Sequence, residues 1–159
     1  MTPIQHIVVM VQEARTFNAL FGTTKTAKAR VGKGKRAHII TIRLRKVGFA
    51  AKGPHNADYG AFLASVDNGK MEGFYEVNGR AAYEYLDPAS IRPYLAIAHD
   101  YALGDHLFQT QGSGDFTAHQ DLIRGGTEIG SKASVIDAPS QLPWGCDAPP
   151  GTTTSLITT

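Results

Sequence analysis

Two short polar stretches could do chemistry, because each places one carboxylate between a predicted strand and a predicted helix. Residues 12–15 (QEAR) contain Glu13, and residues 112–115 (GSGD) end on Asp115. In α/β sheets, ligands bind just beyond the carboxyl ends of the strands. A carboxylate pair at that edge could hold a divalent cation, and a helix N-terminus behind each carboxylate suits a phosphate group. The residues alone therefore indicate a cation or phosphate site.

The elements that must position the first stretch follow from apolar spacing. Residues 4–11 (IQHIVVMV) are short, β-branched and almost wholly apolar, which predicts a strand buried on both faces of a parallel sheet. A short helix is predicted over residues 17–21, with Thr16 as its N-cap and Gly22 at its end.

The second stretch has a similar setting. Residues 101–108 predict another strand, and residues 116–124 predict a helix closed by Gly125 and Gly126. Asp115, directly before that helix, is expected to be its N-cap.

Two more helices and an edge strand are predicted between these stretches. Apolar residues at helical spacing predict a helix over residues 59–66 that Gly69 stops, and Asp87-Pro88 predicts the start of another that turns Ile91, Leu95 and Ala98 inward. Residues 39–47 alternate apolar and charged side chains, as an exposed edge strand does. The order strand, helix, helix, strand, helix is typical of an α/β fold.

Charge is unevenly distributed, although the formal net charge is only +2. Residues 25–52 hold ten of the 16 Lys and Arg residues, and no acidic residue lies between Glu13 and Asp58. Such a block can attract phosphates, but like-charge blocks are often mobile, so a solvated loop is favoured over residues 24–46.

The composition excludes several classes of protein. The single cysteine, Cys146, excludes an internal disulfide and a cysteine-rich zinc site, and next to Trp144 it is expected to be a small packing residue. The sequence contains no run of about 18 apolar residues, so no transmembrane helix is predicted. No signal peptide is visible at the N-terminus.

Four stretches in matching order resemble the bacterial phosphoesterase family that contains phospholipases C and acid phosphatases: residues 3–22, 53–74, 101–126 and 143–152. The resemblance implies an alkaline-phosphatase-like α/β fold, a mainly parallel sheet flanked by helices. It also implies hydrolysis of phosphate esters, with phospholipid among the candidate substrates, by a hydroxyl nucleophile beside a divalent metal ion, in the periplasm or outside the cell.

The resemblance also bears on domain organisation. Family members are usually longer and carry further metal-binding residues in their C-terminal half. Residues 1–159 are therefore expected to be the N-terminal portion of one phosphoesterase domain, with an incomplete sheet, and residues 24–46 a basic loop or insertion.

Two departures from the family motifs affect the expected site. The first motif resembles Q-E-N-R-[ST]-F-D, so Glu13 is the expected metal ligand, while Ala14 lacks the amide oxygen and Asn18 replaces an acidic residue. The second motif has Ser or Thr directly before Phe, where this chain has Asp115. Asp115 is open to three interpretations: an altered nucleophile, a helix N-cap, or an additional metal ligand.

The motifs imply roles for three more side chains. His55 lies where the family has a histidine after proline, and is a candidate for contact with phosphate or the leaving group. Arg15, after the metal motif, is a candidate for binding substrate phosphate. His119 also matches but lies inside a predicted helix, where a packed histidine is favoured.

Three functions are compatible with these features. The first is a phosphoesterase impaired by Ala14 and Asp115; the second is a degenerate or truncated paralogue that binds phosphorylated ligands, which the DNA after Thr159 would distinguish. The third is a binder of anionic surfaces or nucleic acid through the basic block. The block has no interleaved aromatic residues that would stack on bases, so specific nucleic-acid binding is not expected.

Overall fold

A computed structural model describes residues 3–11, 15–53 and 56–158. The fold is a mixed α/β arrangement of short helices and three small sheets. In chain order the elements are α1 (Phe17–Phe21), β1 (Thr26–Val31), β2 (His38–Arg43), β3 (Arg45–Val47), α2 (Tyr59–Val66), α3 (Phe74–Asn78), β4 (Glu84–Leu86), α4 (Arg92–Asp100), α5 (Asp115–Arg124), β5 (Glu128–Gly130), β6 (Ala133–Ile136) and β7 (Ser155–Thr158), with short 3-10 turns at Gly34–Arg36, Gly79–Ala82 and Gly145–Asp147. None of the described helices is long and apolar enough to cross a membrane.

Local capping explains where the first helices begin. The Thr16 hydroxyl accepts a hydrogen bond from the Ala19 N–H at 3.2 Å, which confirms the predicted start of α1. The Asp58 carboxylate accepts from the Ala61 N–H at 2.6 Å and caps α2 in the same way. The helix α2 ends at Asp67, whose φ of 47° is left-handed, two residues before the predicted stop at Gly69.

The helix predicted after Asp87 begins later than expected. Asp87 holds a turn instead, with its carboxylate accepting from the Ala89 N–H at 3.1 Å, and α4 starts at Arg92 with Pro93 in its first turn. Ile91, just before α4, is only 1% exposed, whereas Leu95 is 38% exposed. The prediction of an inward-facing apolar stripe therefore holds at Ile91 and fails at Leu95.

The basic segment forms an ordered antiparallel hairpin, β1 and β2, rather than a loop. Its inner face packs Ala29 and Ile42 against Tyr83 in the main buried cluster. Burial raises the pKa of the Tyr83 phenol, and its hydroxyl donates to the Lys28 carbonyl at 3.4 Å. The apolar side chains on the inner face of the two strands thus anchor the hairpin on the core.

The mainly parallel sheet predicted from the sequence is not found in the described residues. The only parallel pair there is β3–β4, while β1–β2, β5–β6 and β6–β7 are antiparallel. The predicted edge strand over residues 39–47 is present as β2 and β3, interrupted at Leu44.

The predicted central strand over residues 4–11 is wrong, because this segment is irregular and its apolar side chains are exposed, Met10 by 91%. Residues 101–108 likewise form no strand. An apolar run becomes a strand only when another strand accepts its backbone hydrogen bonds, and no strand among the described residues pairs with either segment. The apolar composition alone does not supply such a partner, because pairing is a non-local feature.

Exposed apolar side chains in residues 4–11 predict that the chain associates in solution, since contiguous apolar patches favour association. Introducing Val8→Lys and Met10→Lys should lower the weight-average mass in sedimentation equilibrium toward that of a monomer. The matched control, Thr24→Lys with Gln141→Lys, adds the same charge at exposed polar positions and should leave the mass unchanged. A monomeric unmodified chain with one sharp, cooperative melt would contradict this prediction.

Candidate functional site

The candidate site lies where residues 111–115 enter α5. The helix begins at Asp115, and Gly114 is its N-cap residue without a side-chain cap. The expectation that Asp115 caps the helix is therefore wrong by one position, because the carboxylate belongs to the first helical residue. There the negative charge complements the helix dipole, and the side chain is exposed.

Gln111 shapes the loop before the helix. Its side-chain carbonyl accepts from the Ser113 N–H at 2.5 Å and lies 3.2 Å from the Thr117 hydroxyl, while its amide nitrogen donates to the Ser113 carbonyl at 3.3 Å. Thr117 is only 1% exposed, and its hydroxyl also lies 2.9 Å from the Gly114 carbonyl oxygen. These bonds fix the backbone immediately before Asp115.

Asp137, which the sequence analysis missed, joins this loop to two other elements. It lies just after β6, and its Oδ1 accepts from the Ser113 hydroxyl at 2.8 Å and from the Tyr59 N–H at 2.6 Å. The Ser113 oxygen in turn accepts from the Asp137 N–H at 3.0 Å. One carboxylate therefore holds the loop, the start of α2 and the end of β6 together.

Two glycines allow the loop to approach α2 closely. A Cβ atom added at Gly112 would lie 2.3 Å from the Phe62 ring, and one at Gly114 would lie 3.2 Å from the Ala57 carbonyl oxygen. The glycine-rich sequence before α5 is thus explained by packing of the loop against α2.

A cavity of about 170 Å³ opens beside the head of α5. Asp58, Asp115 and Asp137 line it together with Phe116 and Trp144, whose rings meet edge to face at 5.5 Å. Two of the three carboxylates already accept structural hydrogen bonds, Asp58 from α2 and Asp137 from Ser113 and Tyr59. The cavity lining therefore combines three carboxylates with two aromatic rings.

The described residues do not fit a metal centre. In residues 3–11, 15–53 and 56–158, no group of three His, Cys, Asp or Glu side chains is arranged to hold a metal ion. Hard divalent cations usually take six or more oxygen ligands, often with several carboxylates among them. Glu13, Ala14 and His55 lie outside the described residues, so the metal-ligand role of Glu13 and Asp115 and the phosphate contact of His55 stay predictions.

Arg15 contacts a loop on the N-terminal side of His55. Its guanidinium donates to the Ala51 carbonyl at 2.5 Å and lies 3.5 Å from the Phe49 carbonyl oxygen. In these positions Arg15 holds the chain that leads to residue 53, and its predicted contact with phosphate stays a prediction.

Two expected packing roles are wrong. His119 is exposed on α5 rather than packed. Thr117, two residues earlier and so on nearly the opposite side of the helix, is the buried residue. Cys146 is exposed rather than buried beside Trp144, since it lies in a short 3-10 turn at the surface.

The mixed α/β fold and the glycine-rich loop that leads into α5 are compatible with the phosphoesterase class. The family model described as the Phosphoesterase family matches residues 4–141, so the chain belongs to this family of hydrolases. The match confirms the resemblance found in the sequence motifs. Comparisons with curated proteins and with solved structures gave no match.

Proposed function

We propose that this chain is a phosphate-ester hydrolase whose substrate meets it at the head of α5, and that Ala14 and Asp115 impair its turnover. The observation that carries the proposal is the position of Asp115. It stands directly before Phe116 at the first residue of α5, where the family resemblance implies a hydroxyl nucleophile. Membership of the phosphoesterase family supports hydrolysis of phosphate esters.

The head of α5 has features that suit an incoming phosphate. The N–H groups of a first helical turn lack intrahelical acceptors, and the helix dipole favours an anion there. The loop that leads into α5 is fixed by Gln111 and Asp137, so these groups are held in place before a ligand arrives. The exposed Asp115 carboxylate opposes the phosphate charge at the same place.

The finer parts of the proposal rest on the resemblance. They are an alkaline-phosphatase-like fold of the whole domain, chemistry of the phospholipase C or acid phosphatase type, and a location in the periplasm or outside the cell. The divalent metal ion belongs with them, since its expected ligands are Glu13 and Asp115.

A second candidate function is binding of phosphorylated ligands without turnover. The substitution pattern favours it, because Ala14 removes an expected oxygen ligand and Asp115 replaces the expected hydroxyl within one site. The two candidates share the same phosphate position and differ only in whether the bound ester is cleaved.

Two soluble esters, p-nitrophenyl phosphate and bis(p-nitrophenyl) phosphate, test the proposal. We expect background hydrolysis by the unmodified chain and clear hydrolysis of one ester after Ala14→Asn and Asp115→Ser are introduced together. Binding of the ester by the unmodified chain in calorimetry, with no cleavage even after both changes, would establish the second candidate. A restored chain that neither binds nor cleaves either ester would overturn both.

A further inference from the structure

The ten cations of residues 25–52 fall into two groups in the structure. Four have partners: Arg30 lies 3.4 Å from both Asp67 and Glu76, Arg45 pairs with Glu84, Lys46 lies 3.2 Å from Asp87, and Lys25 stacks over the Tyr85 ring at 4.2 Å. These four stabilise the fold and are not free to hold a ligand.

The other six have no carboxylate within 4 Å among the described residues. They are Lys28, Lys33, Lys35, Arg36, Arg43 and Lys52. All but Lys52 lie on the β1–β2 hairpin, and we call these five the hairpin basic surface. Their excess charge is left unbalanced on an element that is itself well anchored through Ala29 and Ile42.

The register places part of this surface on one face. Burial alternates over residues 26–29 and 39–43, so Lys28 and Arg43 lie on the outward face, with Thr26 opposite Arg43 and Thr41 opposite Lys28. Ile39, 42% exposed, lies on the same face. The outward face therefore combines positive charge with an exposed apolar side chain.

The hairpin tip concentrates the remaining charge in an ordered turn. Lys33, Lys35 and Arg36 lie within four residues, and the turn is closed by the bond from the Arg36 N–H to the Lys33 carbonyl at 3.1 Å. Gly32 has φ of +81°, and a Cβ there would lie 2.5 Å from the Arg36 carbonyl oxygen, so the turn requires glycine. The tip is a defined cluster of three cations.

We propose that the hairpin basic surface docks the protein on anionic lipid headgroups. A lipid surface needs only clustered point charges, and each Lys or Arg near it adds to the attraction. Nucleic acid is disfavoured, because residues 22–48 contain no Phe, Tyr or Trp to stack on bases. The choice of lipid also rests on the proposed function, in which phospholipid is a candidate substrate.

Sedimentation with phosphatidylcholine vesicles, with and without phosphatidylserine, tests the docking surface. The unmodified chain should bind only the vesicles that contain phosphatidylserine. Changing Lys33, Lys35 and Arg36 to Gln should lower the partition coefficient about a hundredfold. The matched control changes Lys70, Arg92 and Lys132 to Gln, which removes the same charge from exposed positions elsewhere, and should change partitioning less than about threefold.

Three results would overturn the docking surface: no binding of phosphatidylserine vesicles by the unmodified chain, equal losses in both triple variants, or a larger loss for duplex DNA than for vesicles. The last result would assign the surface to nucleic acid. Vesicle binding needs no turnover, and hydrolysis of the soluble nitrophenyl esters needs no docking. Failure of the docking surface and failure of the proposed function therefore give different results.

Discussion

Phosphate-ester hydrolysis should rise from background by about two to three orders of magnitude when Ala14→Asn and Asp115→Ser are introduced together. This is the size that a single group in a preorganised site contributes to turnover. Neither change alone should suffice, because residues that act in one site have strongly non-additive effects.

The two changes act on different requirements of the reaction. A methyl group at Ala14 offers no oxygen to a cation, although water can fill the position, so this change should weaken ion affinity more than it alters geometry. Asp115 removes the hydroxyl that the resemblance implies as nucleophile. It also adds negative charge where a phosphate must bind, and like charges about 4 Å apart repel by roughly 1–4 kcal/mol, depending on solvent exposure.

Graded variants separate charge from chemistry at position 115. Asp115→Asn keeps the shape and removes the charge, so it should tighten binding of inorganic phosphate without restoring turnover. Asp115→Ser together with Ala14→Asn should restore both phosphate binding and turnover. The assay uses the chain with any coding sequence that continues its frame, and reads initial rates on the two nitrophenyl esters. Metal-dependent hydrolysis by the unmodified chain that Asp115→Ala abolishes would make Asp115 a working catalytic group.

Local features of the fold were predictable because a few neighbouring residues determine them. Thr16 begins α1, the apolar spacing from Tyr59 gives α2, and Gly125, with φ of +75°, ends α5 as expected. In each case the hydrogen bonds that define the element lie within one or two helical turns of sequence.

Strand pairing was not predictable in the same way. The apolar run over residues 4–11 has the composition of a central strand, yet its pairing partner must come from elsewhere in the chain. The basic hairpin is only partly predictable, since the alternation over residues 39–47 indicates a strand, whereas its pairing with β1, which places Ala29 and Ile42 in the core, is not visible in the charge pattern. Composition reports what a segment can bury, whereas pairing depends on distant segments.

The candidate site likewise contains one residue that local sequence locates and one that depends on distant segments. Asp115 could be located from the motif, because it directly precedes Phe116 in sequence. Asp137 could not, because its partners Ser113 and Tyr59 lie 24 and 78 residues away. A carboxylate directly after the β-branched residues of β6 was the only available signal.

Replacing Asp137 with Ala should lower the free energy of unfolding by about 2–4 kcal/mol. The half-buried carboxylate accepts two hydrogen bonds, each of which contributes about 1 kcal/mol net. Asp137 also has φ of 60°, a left-handed conformation that costs Ala roughly 1–2 kcal/mol and that Asp and Asn tolerate better.

A series at this position separates the two causes. Asp137→Gly removes the acceptor without backbone strain, so it should be less destabilising than Asp137→Ala, and the difference measures the strain. Asp137→Asn keeps one acceptor and tolerates the same φ, so it should be the mildest. Ser113→Ala removes one of the two bonds to the carboxylate. In urea denaturation, its loss of unfolding free energy should lie between the losses for Asp137→Asn and Asp137→Ala.

Trp144 offers a local readout of the same change. It is the only tryptophan in the sequence and lines the cavity with Asp137 and Phe116, so its emission reports on the head of α5. If Asp137 holds the loop, Asp137→Ala should shift Trp144 emission to longer wavelength in the folded state, while Asp137→Asn leaves it near that of the unmodified chain. An unchanged spectrum with a full loss of stability would place the effect of Asp137 on the fold alone and not on the geometry of the site.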